Sequence, residues 1–222
     1  RYGGSTPEAM IESGLRHIAM LEKRNFYNTK ISLKASDVMK TVQAYRLMAT
    51  KVEYPFHLGI TESGSLATGS VKSSVGLGLL LSEGIGDTMR VSLAADPTEE
   101  VRVAFEILKS LKLRRKGVNV IACPSCGRVQ IDVDKLTSEV EKELAHIKEP
   151  ITVAVMGCEV NGPGEARDAD IGVAGGHKKA LIFSKGEKDG LVEYSDIKNV
   201  LVEKVEALAK KYNSEKQIQE NL

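Results

Sequence analysis

No apolar run in the sequence approaches the ~20 residues that a membrane-spanning helix requires. Nor is one sign of charge in excess: 31 Lys and Arg stand against 30 Asp and Glu, for a net charge of +1. Such a chain does not bind nucleic acid through bulk electrostatics, although a local basic patch stays open. Cysteine is scarce, and an odd total of three excludes a closed disulfide framework within one chain. The sequence shows no signal-peptide pattern, no internal repeat and no low-complexity stretch. Disorder is expected only in the polar tail after Lys210.

What is present is ordinary for a globular protein: 222 residues, 42% hydrophobic and 27% charged. That length builds one large domain or two small ones. The chain opens at Arg1, two residues from a Gly-Gly pair, and reads as a piece of something longer. A charged chain without a leader points to a reducing cytoplasm, where spaced thiols serve metal or redox chemistry.

Thr6-Pro7-Glu8 starts a helix, with a hydroxyl cap, Pro at the first position and an acid in the first turn. Lys30–Lys34 reads as a strand, Ser36 caps the next helix, and Phe56–Ile60 is a second strand. A helix over 70–83 and a strand over Met89–Leu93 follow. Asp96-Pro97-Thr98-Glu99 opens another helix. This alternation has the period of a βα barrel or a doubly wound sheet. A second pattern begins after Lys116-Gly117. It has an apolar strand over Val118–Ala122, a helix near 134–147 and a strand over Ile151–Met156. Short strands near 170–174 and 179–184, a hairpin around Gly186–Gly190 and a helix from Asp196 to Lys210 complete it. The domain boundary falls near 112–117, giving domains 1–112 and 113–222.

The strongest chemical signal is the cysteine set. Cys123-Pro124-Ser125-Cys126 follows one strand directly, and Cys158 follows another. Strand ends in α/β sheets are where sites gather. Two thiolates in a C-x-x-C pair grip one metal centre, and a third from a neighbouring strand end completes a face. Plain buried structural cysteines are the competing reading. For the fourth position, zinc would take His177 or His146 and close a tetrahedron. A 4Fe-4S cluster would take a ligand other than Cys, and Glu165 in Asn161-Gly162-Pro163-Gly164-Glu165 offers one. The same loop also reads as a plain turn with Glu165 on the surface.

Ala122-Cys123-Pro124-Ser125-Cys126-Gly127-Arg128 and Met156-Gly157-Cys158-Glu159-Val160-Asn161-Gly162-Pro163-Gly164-Glu165 together resemble the 4-hydroxy-3-methylbut-2-enyl diphosphate synthases. So do His57–Glu62, the Gly76–Leu80 helix with Glu83–Thr88, and Arg90–Leu93. Order and spacing fit throughout residues 1–185. The resemblance implies an α/β chain: the C-terminal part of a TIM (β/α)8 barrel, then an α/β 4Fe-4S domain resembling a sulfite-reductase-type domain. It implies reductive opening of 2-C-methyl-D-erythritol 2,4-cyclodiphosphate in isoprenoid biosynthesis, with loss of water. It also implies a cluster on Cys123, Cys126, Cys158 and Glu165, with flavodoxin or ferredoxin as electron donor. Two-domain members are homodimers in which the cluster domain of one subunit closes the barrel mouth of the other.

Within that reading, Lys34 at a strand end binds the diphosphate as a point charge. Arg90 and Ser92 share one strand face and are further phosphate ligands, with Thr61 a weaker candidate. Glu62 donates a proton or orients a hydroxyl, because a hydroxide leaving group needs one. Asn161 hydrogen-bonds substrate beside the cluster. His57 reads as a structural barrel residue, and Lys72 and Arg128 carry no assignment. The resemblance starts roughly midway through the family's barrel, so the chain alone is expected to turn over little. Two other classes stay open: a structural zinc module and a simple electron-transfer iron–sulfur protein.

Overall fold

The computed structural model describes residues 2–124, 126–160 and 162–220, without the side chains at 163, 165, 216 and 218–220. The chain divides into two compact units, Arg1–Arg114 and Arg115–Leu222.

In the first unit, helices α1 (Pro7–Glu22), α2 (Val38–Ala49), α3 (Leu66–Ser82) and α4 (Pro97–Ser110) alternate with strands β1 (His57–Gly59) and β2 (Thr88–Arg90). The helix starts follow their caps. Thr6 accepts from the Ala9 N–H, and Asp96 accepts from the Thr98 N–H at 2.9 Å, each ahead of a proline. The cap of α2 is Asp37 rather than Ser36, because the carboxylate reaches the Lys40 N–H at 2.7 Å. β1 and β2 are parallel, with His57 opposite Thr88 and Gly59 opposite Arg90. Leu58 and Met89 therefore face the helices, where Leu58 packs among Tyr45, Met48, Leu77 and Leu80. His57, Gly59, Thr88 and Arg90 lie on the opposite face.

The strand expected at Lys30–Lys34 is a single parallel bridge, Ile31 to Phe56. A side chain displaces its ladder. The Leu33 N–H donates to the Tyr45 hydroxyl at 2.9 Å, and that hydroxyl donates to the His57 carbonyl at 2.6 Å. Tyr45 is fully buried, its ring meets Phe56 edge-on at 5.7 Å, and burial pushes its pKa up. Tyr45→Phe keeps the ring but leaves the Leu33 N–H without its partner and the His57 carbonyl with the Ser32 hydroxyl, at 2.9 Å, in place of two donors. It is expected to destabilise the first unit by about 2 kcal/mol. Urea unfolding measures this, and a loss under about 0.5 kcal/mol would show that the hydroxyl is not a strand substitute.

The second unit is a five-stranded sheet in the order β3 (Asn119–Ala122), β4 (Thr152–Met156), β5 (Ile171–Ala174), β6 (Ala180–Ser184), β7 (Glu187–Val192). The first three strands are parallel and the last two antiparallel. On one face Val153, Val155, Ile171 and Val173 pack against α5 (Val133–Leu144) and α7 (Ile197–Glu220). On the other, Ala154, Met156 and Ala174 pack with Phe183 and with Ala166 and Ala169, which follow the short α6 (Gly162–Glu165). A Cβ on Gly172 would lie 2.3 Å from the Phe183 ring, so that face is built to seat it. α7 runs to Glu220, well past Lys210 where the sequence had ended it. Among the described residues no helix is long and apolar enough to cross a membrane.

Candidate functional site

Two strand-end regions carry the residues that chemistry would use, one in each unit. In the second unit, β3 ends at Ala122 and β4 at Met156, side by side and parallel. Cys123 and Cys158 thus leave the sheet at the same end, the end where α/β sites form. The Cys123 N–H extends the ladder to the Val155 carbonyl at 3.2 Å. The Gly157 N–H donates to Cys123 Sγ at 3.0 Å. Cys158 is buried, Cys123 half-buried and Cys126 exposed at the head of a turn closed by the Val129 N–H on the Cys126 carbonyl.

Three loops pack closely here, with glycines at their tightest contacts. A Cβ on Gly175 would lie 2.5 Å from the Gly157 carbonyl oxygen, and one on Gly176 2.5 Å from that of Lys179. The Tyr194 hydroxyl donates to the Gly176 carbonyl and secures the third loop. Between the loops lies a cleft of about 360 Å³ lined by Cys158, Arg128, Gln130, Glu159, Val160 and His177. Among the described residues, no three His, Cys, Asp or Glu side chains are gathered closely enough to hold a metal ion. Ser125 and Asn161 lie outside the described residues, as does the Glu165 side chain. The donor set still fits a thiolate-bound group. It is sulfur at two adjacent strand ends, one sulfur already accepts a backbone N–H, and a cleft adjoins the other. Of the two histidines weighed for zinc, His177 lines the cleft. His146 follows α5 at the other end of the strands, with Nδ1 2.9 Å from the Glu143 carbonyl.

In the first unit, Lys34, His57 and Arg90 share one electropositive region. Lys34 is not on a strand, but it is held against β1: a Cβ on Gly59 would lie 3.0 Å from Lys34 Cε and 3.2 Å from the Arg90 carbonyl oxygen. Burial, then the Arg90 charge, lowers the Lys34 pKa. Burial, then the charges of Lys34, Lys30 and Arg90, lowers that of His57, whose Nδ1 lies 2.8 Å from Thr88 Oγ1. Cations held against one another in this way make a locally electropositive patch.

β2 ends at Arg90. Val91 is buried, and Ser92 lies beyond the strand rather than on it. Thr61 is half-buried, and its N–H donates to the Ala35 carbonyl at 3.3 Å. Glu62 is exposed, with φ of 54°, in the left-handed region that a side-chain-bearing residue seldom adopts. Gly59, Thr88 and Gly157 enter the sequence reading only within the resembling motifs, with no role assigned, and Gln130 does not enter it. The Gly157-Cys158 doublet after an apolar strand was the one available signal.

The His57 shift has a testable consequence. An unfolded chain takes up the imidazole proton near the ordinary value of 6.5, the folded one only at lower pH. The unfolded state therefore binds more protons as pH falls through 6.5, and the first unit loses stability over that range. His57→Gln is expected to flatten this dependence in urea unfolding at pH 7.5 and 5.5. An unchanged slope would mean that His57 does not carry it.

These features define an α/β protein with barrel-type β/α order in one unit and a thiol-bearing strand-end site in the other. Residues 1–105 match the GcpE TIM-barrel domain and residues 119–207 the GcpE protein C-terminal domain, and the chain belongs to the GcpE family. It is 62% identical over 187 residues to a Maridesulfovibrio salexigens protein named 4-hydroxy-3-methylbut-2-en-1-yl diphosphate synthase (flavodoxin), covering 84% of this chain and 52% of that protein. Proteins of the same name from Lawsonia intracellularis and Acidithiobacillus ferrooxidans are 55% and 56% identical over 96% and 93% of this chain. The chain spans 52–60% of the length of these three relatives.

Proposed function

We propose that the protein reductively opens 2-C-methyl-D-erythritol 2,4-cyclodiphosphate to 4-hydroxy-3-methylbut-2-enyl diphosphate, a step of isoprenoid biosynthesis. Two electrons enter, the ring opens, and one hydroxyl gains a proton and leaves as water. The observation that carries the reading is the placement of Cys123 and Cys158 at the ends of adjacent parallel strands. The names of the relatives supply the reaction and the donor, flavodoxin.

A 4Fe-4S cluster held by Cys123, Cys126, Cys158 and Glu165 supplies electrons one at a time when bound. The domain that holds it, residues 113–222, is read as a sulfite-reductase-type domain, and residues 1–112 as the substrate domain. Lys34 and Arg90 bind the diphosphate, and the lowered pKa values of Lys34 and His57 support an anion site there. Ser92 and Thr61 add hydroxyl donors to its oxygens. Glu62 delivers the proton to the leaving hydroxyl, and Asn161 orients the substrate beside the cluster. The protein works as a cytoplasmic homodimer, the cluster domain of one subunit serving the barrel of the other.

The test is turnover by the full-length protein, without oxygen, with reduced flavodoxin and the cyclodiphosphate. Formation of the open-chain diphosphate is expected. A protein that carries the cluster and binds the cyclodiphosphate but forms no product would overturn the reading.

A further inference from the structure

Gly157 is fixed through both peptide groups that flank it. Its N–H donates to Cys123 Sγ at 3.0 Å, and its carbonyl accepts from the Gln130 N–H at 2.8 Å. Gly175 packs so closely on that carbonyl that a Cβ there would sit 2.5 Å from the oxygen. Two peptide planes are held here: in the one that carries the N–H, the Met156 carbonyl also accepts from the Gly175 N–H at 2.9 Å, so neither plane tilts without breaking a bond or closing a contact. Gly157 itself has no room for a side chain. A Cβ would lie 2.8 Å from Val129 Cγ2, 3.1 Å from Val133 Cγ2 and 3.5 Å from Cys123 Sγ. Its backbone is not in the left-handed region, so glycine is not required there by φ. Space beside the thiol is what requires it.

A backbone N–H aimed at a ligating sulfur withdraws electron density from it. Hydrogen bonds to the sulfurs are among the terms that set an iron–sulfur potential. We propose that Gly157 is a positioning residue: its missing side chain lets the 157 N–H reach Cys123 Sγ, and that bond raises the electron affinity of the cluster. The inference rests on the cluster reading above and adds to it the residue that tunes the potential.

Gly157→Ala drives a methyl group into Val129 and Val133 and pushes the strand end away from Cys123. The full chain, purified without oxygen, is expected to load the same iron and sulfide with either residue at 157. The Gly157→Ala cluster is expected to hold its electron about tenfold more weakly, a potential about 59 mV more negative for a one-electron couple. The double variant Gly157→Ala/Val129→Ala removes the tightest contact and is expected to recover most of that shift. Val129→Ala alone leaves the potential where it was. Equal potentials in Gly157→Ala and the unchanged protein would overturn the inference.

If Gly157→Ala does not fold, an isotope measurement on the unchanged chain carries the test. In the unchanged chain labelled with 15N-glycine, the EPR signal of the reduced cluster is expected to carry a glycine nitrogen coupling through the sulfur. Its absence overturns the inference whatever the variants do. An unchanged chain that loads no iron and sulfide overturns the cluster reading itself, and this inference with it.

Discussion

Replacing Glu62 with glycine is expected to stabilise the first unit and to abolish turnover. Glu62 sits at φ 54°, where a side-chain-bearing residue costs roughly 1–2 kcal/mol and glycine almost nothing. The loop around it is fixed by other bonds: the Ser63 hydroxyl donates to the Ile60 carbonyl at 3.1 Å, and the Ala94 N–H to that of Gly64 at 2.9 Å. Glycine at 62 therefore keeps the loop and relieves the strain, for a gain of about 1 kcal/mol. Strain held at a strand end by an exposed carboxylate is what a functional side chain looks like. In the proposed role of proton donor, its loss is expected to lower turnover of the full-length protein by at least about 100-fold. Glu62→Gln keeps the strained residue and loses the proton, so turnover falls without the stability gain. Full turnover in both variants would remove Glu62 from the chemistry.

Cys158→Ala is expected to leave the second unit folded and to empty it of iron. Cys158 is 8% exposed, where a cysteine outside a disulfide packs as a small hydrophobe, so alanine is expected to cost about 1 kcal/mol. Removing even a supporting partner of a metal ligand costs about 10–100-fold in affinity. Removing a ligand is expected to lower iron and sulfide per chain by at least about tenfold, with circular dichroism unchanged. Full iron content in Cys158→Ala would show that the buried thiol is structural.

How much of this the sequence reveals depends on whether the decisive contact is local. The start of α4 is legible because Asp96, Pro97 and the Thr98 N–H lie within one turn. The strand β4 is legible because Val153–Met156 is a continuous buried apolar run, and β3 because Val120 and Ile121, half-buried in the fold, are adjacent apolar residues before Cys123. The 30–34 strand misleads, because its ladder partner is replaced by the hydroxyl of Tyr45, a residue placed there by α2. β7 is legible only as the return of the hairpin around Gly186–Gly190, because Glu187-Lys188-Asp189 carries the charge typical of an exposed edge strand. At the site, the C-x-x-C spacing draws attention to the thiols. Nothing in the order of residues shows that the Gly157 N–H points at Cys123, since that follows from the register of β3 on β4. Likewise the crowding of Lys34, His57 and Arg90 arises only when the 31–34 segment is laid against the paired strands β1 and β2.

The most direct measurement is iron, zinc and acid-labile sulfide per chain, on protein purified without oxygen. About four irons and four sulfides, with no zinc, is the expected result. About one zinc with no sulfide would contradict the cluster and leave a structural metal domain in its place.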